Sequence, residues 1–226
     1  YHTITCSMTQ PHLIDTVLRR LDAYFGERTW HQSNEGLDEL VQTILSQSTT
    51  DANSGRAFAN LQQRYFSWDD VRNAPFDELV EVIRVAGLAR NKAKHIQKLL
   101  EYLFHTTGRY SIDHLVQLST DDAFKWLVSI PGIGPKTAAC TLMFAYGMPF
   151  MPVDTHVGRV SARLGIVDTT NAEKAHHFLH TAIPDHEKYA YHVHLIHLGR
   201  QICQARTPQC QHCPLTDICP KIGIGM

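Results

Sequence analysis

Four cysteines crowd one end of the chain as Cys203-x6-Cys210-x2-Cys213-x5-Cys219, while Cys6 and Cys140 stand alone. In a reducing compartment a cluster of this kind points to metal ligation before disulfides. Zinc sites generally supply two close-spaced pairs, and this stretch has one Cys-x2-Cys flanked by longer loops. An iron-sulfur cluster is larger than one ion and tolerates such loops, so spacing alone admits both centres. Four unligated thiols are a poor reading, because the cysteines sit among Pro208, Pro214 and Pro220 with little apolar material nearby.

A second stretch, Ser129-Ile-Pro-Gly-Ile-Gly-Pro-Lys-Thr-Ala138, points to a different chemistry. Glycine permits φ > 0 and lets another backbone come close. Pro135 suits the first position of a helix, so the turn would present free amides at a helix N-terminus, a natural phosphate site. A nucleotide P-loop does not fit. That motif needs four residues between its glycines, Gly-Lys-Ser/Thr and a preceding strand. Here one residue separates Gly132 from Gly134 and Pro135 interrupts Gly-Lys. His192-x-His194-x2-His197 looks metal-like, but it lacks the i, i+4 spacing of a helical zinc pair.

The elements that must position these residues read as helices. Apolar residues recur at helical spacing in four stripes. They are Ile14/Val17/Leu18/Leu21/Phe25, Leu37/Leu40/Val41/Ile44/Leu45, Phe76/Leu79/Val80/Ile83 and Ala93/Ile96/Leu100/Leu103, with Gly87 and Gly108 closing the last two. Helices are also expected over Asp121–Val128, before the glycine turn, and from Ala138 through Tyr146 after it. Phe150-Met-Pro-Val153 is short and holds a proline, so it reads as a connector rather than a strand. Glycine turns cut the chain into about ten short helices, and the expected fold class is all-α.

Composition excludes several classes. The chain has 226 residues, 43% apolar and 19% charged, and its formal charge is −1. Those values suit one large or two small globular domains and rule out a bulk polybasic protein, though not a local basic groove. No apolar run approaches a membrane span, and the start, Tyr1 to Gln10, lacks the order of a signal peptide. The expectations are no membrane partner and a cytoplasmic location.

Three elements, in order, resemble the endonuclease III family of DNA glycosylases within the helix-hairpin-helix superfamily. They are the hairpin Ile130–Ala138, then Val153-Asp-Thr-His-Val-Gly-Arg159, then the four-cysteine tail. Leu45-Ser-Gln-Ser-Thr-Thr-Asp51 and Gly87-Leu-Ala-Arg-Asn-Lys-Ala93 are similar to two further family segments. The resemblance implies two helical domains flanking a DNA-binding cleft, 30–148 with the hairpin and 1–29 plus 149–226 with the cysteines. It implies that Cys203, Cys210, Cys213 and Cys219 hold a 4Fe-4S cluster. It implies a monomer acting on the nucleoid, on double-stranded DNA with a damaged base or abasic site, and extruding that base from the stack.

Lys136 falls on the family's catalytic lysine and Asp154 on its catalytic aspartate. The implied activity is a bifunctional glycosylase and abasic-site lyase for oxidised pyrimidines, working through a lysine Schiff base and β-elimination. The adenine and thymine-mismatch branches lack that lysine, and Gln42 stands where the adenine branch has a catalytic glutamate. Alternatives are a glycosylase of the same fold for uracil, mismatched thymine or an alkylated purine, or a non-catalytic DNA-binding iron-sulfur protein. The expected DNA contacts are Gly132, Ile133 and Gly134, with Leu88 as a wedge between bases. The family's gap-filling glutamine stands one residue early here, as Gln47, and Ser48 takes the expected place. Arg90, Lys92 and Arg206, with Lys94, Lys98, Arg159 and Arg163 near them, supply positive charge that would track phosphates.

Overall fold

The computed structural model describes residues 10–32, 34–168 and 172–224. They form eleven α-helices, and no strand occurs among the described residues. In chain order these are α1 (Gln10–Phe25), α2 (Gly36–Ser46), α3 (Asp51–Arg64), α4 (Trp68–Asn73), α5 (Phe76–Val82) and α6 (Ala89–Thr107). Then come α7 (Thr120–Ser129), α8 (Pro135–Tyr146), α9 (Thr155–Arg163), α10 (Ala172–Ala182) and α11 (Lys188–Gln201). No described helix is long and apolar enough to cross a membrane. Residues Tyr1 to Thr9, including Cys6, lie outside the described residues.

The chain divides into two compact units, Gln32–Met148 and Tyr1–His31 with Pro149–Met226. The first unit is built around α2, whose stripe Leu37, Leu40, Val41, Ile44 and Leu45 is buried. That helix packs mainly on α8 and α3. Three other helices of this unit start at side chains that satisfy orphan amides. Thr50 caps α3, Ser67 and Asp70 form a capping box on α4, and Ser119 caps α7. Gly108 and Gly147 end α6 and α8 at φ 67° and 64°, the left-handed region that glycine enters at no steric cost. The third stripe ends sooner than its spacing predicts. α5 stops at Val82, and Arg84–Ala86 tightens into a 3₁₀ turn before Gly87.

The second unit packs α1 on α11 and α11 on α9. Ile14, Val17, Leu18 and Leu21 meet Val157, Val160, Leu164, Leu195 and Leu198 in one core. Tyr191 is fully enclosed there, its hydroxyl 3.0 Å from that of Ser161. Residues 149–153 form the connector expected from the sequence, without strand pairing.

Candidate active site and cysteine loop

Within the Gln32–Met148 unit, α7 and α8 flank the turn Ile130–Gly134. Gly132 takes φ +95°, and a Cβ there would come within 3.2 Å of the His95 ring, which packs against the turn from α6. Gly134 is the N-cap of α8 and gives it no side-chain cap, and Pro135 occupies the first turn. The amides of Lys136 and Thr137 therefore begin α8 without a capping side chain, where the helix dipole favours an anion. Ile133 is buried and anchors the turn, while Gly132, Gly134 and Lys136 are exposed.

The end of α2 meets this hairpin. Gln47 Nε2 donates to Thr137 Oγ1 at 3.2 Å, so Gln47 and the first turn of α8 come together although far apart in sequence. Ser48 then turns out of the helix at φ 53°, exposed. Leu88 also sits in the left-handed region, at φ 48°, and is 60% exposed.

Lys92 corrects an expectation. It is only 2% exposed, and its Nζ donates to Leu45 O at 2.7 Å and Ala86 O at 2.8 Å, so it is no phosphate contact. Burial pushes its pKa down. The reason was legible, since Lys92 lies four and seven residues before Ile96 and Leu99, on the buried stripe of α6. Arg90 is exposed but already paired, 2.8 Å from Asp77 and stacked over Phe76.

In the second unit, Asp154 caps α9. Its Oδ1 accepts from the amides of His156 at 2.9 Å and Val157 at 2.7 Å, while Oδ2 has no hydrogen bond among the described residues. Three side chains pin the connector that delivers it. Lys188 Nζ donates to Pro149 O, His176 Nδ1 to Met151 O and His192 Nδ1 to Pro152 O, at 3.0, 2.7 and 2.9 Å. This is the work of His192. The sequence offered no signal for these clamps beyond polar residues at buried helical positions. His194, also buried, bonds Asp22 at 2.7 Å.

The same helix holds the cysteine loop. Arg163 donates to Cys203 O, Gln204 O and Ala205 O at 3.3, 2.7 and 2.8 Å, and to Cys203 Sγ at 3.3 Å. Arg159 donates to Cys203 O at 3.1 Å and Gly199 O at 2.9 Å. These two arginines order the loop rather than track phosphates. Arg206, within the loop, is exposed.

Cys203, Cys210, Cys213 and Cys219 line one small pocket, all as free thiols. Burial, then mutual repulsion among the four, raises the Cys213 and Cys219 pKa values. A cationic centre between the four sulfurs would let them ligate as thiolates. Among the described residues no three His, Cys or carboxylate groups converge tightly enough for a single metal ion. Lys221 N donates to Cys219 Sγ, an amide-to-sulfur bond of the kind that supports a cluster. Four cysteines around one pocket, with an amide bonded to sulfur, fit an iron-sulfur cluster.

Comparison with known proteins agrees. Residues 41–184 match the HhH-GPD superfamily of base excision DNA repair proteins, and residues 203–219 match the iron-sulfur binding domain of endonuclease III. Endonuclease III of Bacillus subtilis is 38% identical over 184 residues, covering 80% of this chain and 78% of that protein. A protein of Arabidopsis thaliana provisionally named a DNA glycosylase is 39% identical over 168 residues. That match covers 74% of this chain and spans only 57% of the plant protein. A solved structure described as a trapped endonuclease III–DNA covalent intermediate matches with a TM-score of 0.78 and 31% identity. It covers 95% of this chain and 97% of that one.

Proposed function

Because the chain belongs to the HhH-GPD superfamily of base excision DNA repair proteins, in its endonuclease III family, we propose that it removes oxidised pyrimidines from duplex DNA and then nicks the strand. It is a DNA glycosylase with abasic-site lyase activity, and its four-cysteine loop holds a 4Fe-4S cluster. The observation that carries the reading is Lys136, an exposed amine in the first turn of an uncapped helix behind a glycine hairpin.

The chemistry assigns each residue a role. The hairpin amides hold a phosphate, which fixes the strand without reading sequence. The Lys136 amine attacks the sugar C1′ as the bond to the base breaks, and the base departs with its electron pair and takes a proton. Ring opening gives a Schiff base between Nζ and C1′. Loss of a C2′ proton then expels the 3′ phosphate by β-elimination. Asp154 Oδ2 stabilises positive charge developing on the sugar. Gln47 steadies the first turn of α8 through Thr137, and Ser48 and Leu88 are the residues presented to the duplex. Exposed Arg206 adds a phosphate contact. The cluster orders the tail, where few apolar residues remain to do so.

The protein would act as a monomer on the nucleoid, in the cytoplasm. The support is that each unit carries its own buried core and that the matched family is one of base excision DNA repair proteins. The test is an incision panel of duplexes carrying oxidised, deaminated, mismatched or alkylated bases. Oxidised pyrimidines should be released and nicked fastest. Faster release of uracil, mismatched thymine or an alkylated purine would move the substrate assignment.

A further inference from the structure

We infer that Lys92 is a positioning residue that locks two exposed turns, at Ser48 and Leu88, into one rigid pair for insertion into the duplex. The inference rests on the reading that this unit binds damaged DNA. Lys92 is among the largest enclosed side chains of the protein. It reaches Leu45 O at the end of α2 and Ala86 O at the end of the 3₁₀ turn, with no carboxylate partner among the described residues. Those two carbonyls have no helix to continue into, and each lies just ahead of one turn. One ammonium thus closes two helix ends at once.

The turns it joins are unusual in the same way. Among described residues other than glycine, only Ser48, Leu88 and Lys221 have positive φ. Such a conformation costs energy for a residue with a side chain, most of all a bulky one, and persists only where surrounding structure imposes it. Leu88 is moreover a large apolar side chain held in water. Lys92 sits one turn after it on α6, its own amide donating to Leu88 O at 3.1 Å. Backbone and side chain of one residue therefore fix the Leu88 turn, and the same side chain carries that constraint across to the Ser48 turn. Pre-organised turns enter a duplex without first losing their own freedom.

The test needs no chemistry at the sugar. A duplex carries a tetrahydrofuran abasic analogue opposite 2-aminopurine, which brightens when unstacked. Saturating wild-type protein should raise the fluorescence. Lys92→Met, which leaves both carbonyls without a donor, should cut that rise by about five-fold or more. Its lyase action on an abasic single strand, where no stack must open, should stay within about two-fold of wild type. Added to Leu88→Ala, Lys92→Met should cost less than about two-fold more, because both act on one event. Lys92→Gln, whose amide can donate to one carbonyl, should give an intermediate rise and serves as the folded variant if Lys92→Met does not fold. A full rise in either folded variant, or losses that multiply with Leu88→Ala, would overturn the inference alone. A wild type that binds without any rise would overturn the insertion reading beneath it as well.

Discussion

Asp154 commits Oδ1 to the amides of His156 and Val157 and, among the described residues, leaves Oδ2 without a hydrogen bond. Its structural and chemical roles can therefore be separated. Asn is as good an N-cap as Asp, so Asp154→Asn should leave thermal stability nearly unchanged. Losing the charge should slow base release by roughly 10²–10³-fold in single-turnover assays. Asp154→Ala should show the same slow release plus about 1 kcal/mol of lost stability. Equal melting of the two variants would contradict the cap. Both catalytic candidates were visible only through the family motif, since a lone lysine or aspartate carries no label. Lys92 and Arg163 were misjudged for a physical reason. Each occupies a buried helical position, Arg163 three residues after Val160, and long cationic side chains were taken as surface groups.

The hairpin makes a sharper case at the level of the element. Gly134 has φ −87°, and a Cβ there would meet nothing within 4 Å, so side chains fit. Gly134→Asp should fold normally, with its carboxylate capping the α8 amides that would otherwise hold a phosphate. Duplex affinity should drop at least about ten-fold for damaged and undamaged DNA alike. Gly132→Ala differs, because φ +95° and the His95 ring both oppose a Cβ, and it should lower the melting temperature instead. Wild-type affinity in folded Gly134→Asp would remove the hairpin from the DNA surface. Helix existence here was legible from periodicity and glycine punctuation. The His95 contact was not, because nothing local ties α6 to a turn far along the chain.

Across the whole molecule, the units should respond unequally to acid. Burial lowers the pKa values of His156, His176 and His194, in the last case despite the Asp22 carboxylate. A histidine held neutral by the fold stabilises it fully above its ordinary value near 6.5. That stability is lost as pH falls through the lowered folded value. All three lie in the unit that carries α9 and the cysteine loop. In the other unit, burial raises Asp38 and Glu39, whose contribution grows as pH falls and offsets the opposite effect of Lys92, whose pKa burial lowers. Hydrogen exchange at pH 7.5 and 5.5 should therefore show α9–α11 loosening in acid relative to α2–α8. The reverse order would contradict the assigned causes. The fifteen histidines announced acid sensitivity in the sequence, but their number does not say which are buried. Nor does periodicity say that α1 packs on α11, a pairing between distant parts of the chain.

The central claim is that Lys136 supplies the nucleophile, and borohydride trapping tests it most directly. Wild-type protein with an oxidised-pyrimidine duplex should give a covalent protein–DNA adduct on reduction. Lys136→Gln keeps the exposed first turn of α8 but has no nucleophilic amine. It should still bind the duplex, yet form no adduct and nick at least ~10³-fold more slowly. An adduct undiminished in Lys136→Gln would show that another amine attacks the sugar, and the account would fail.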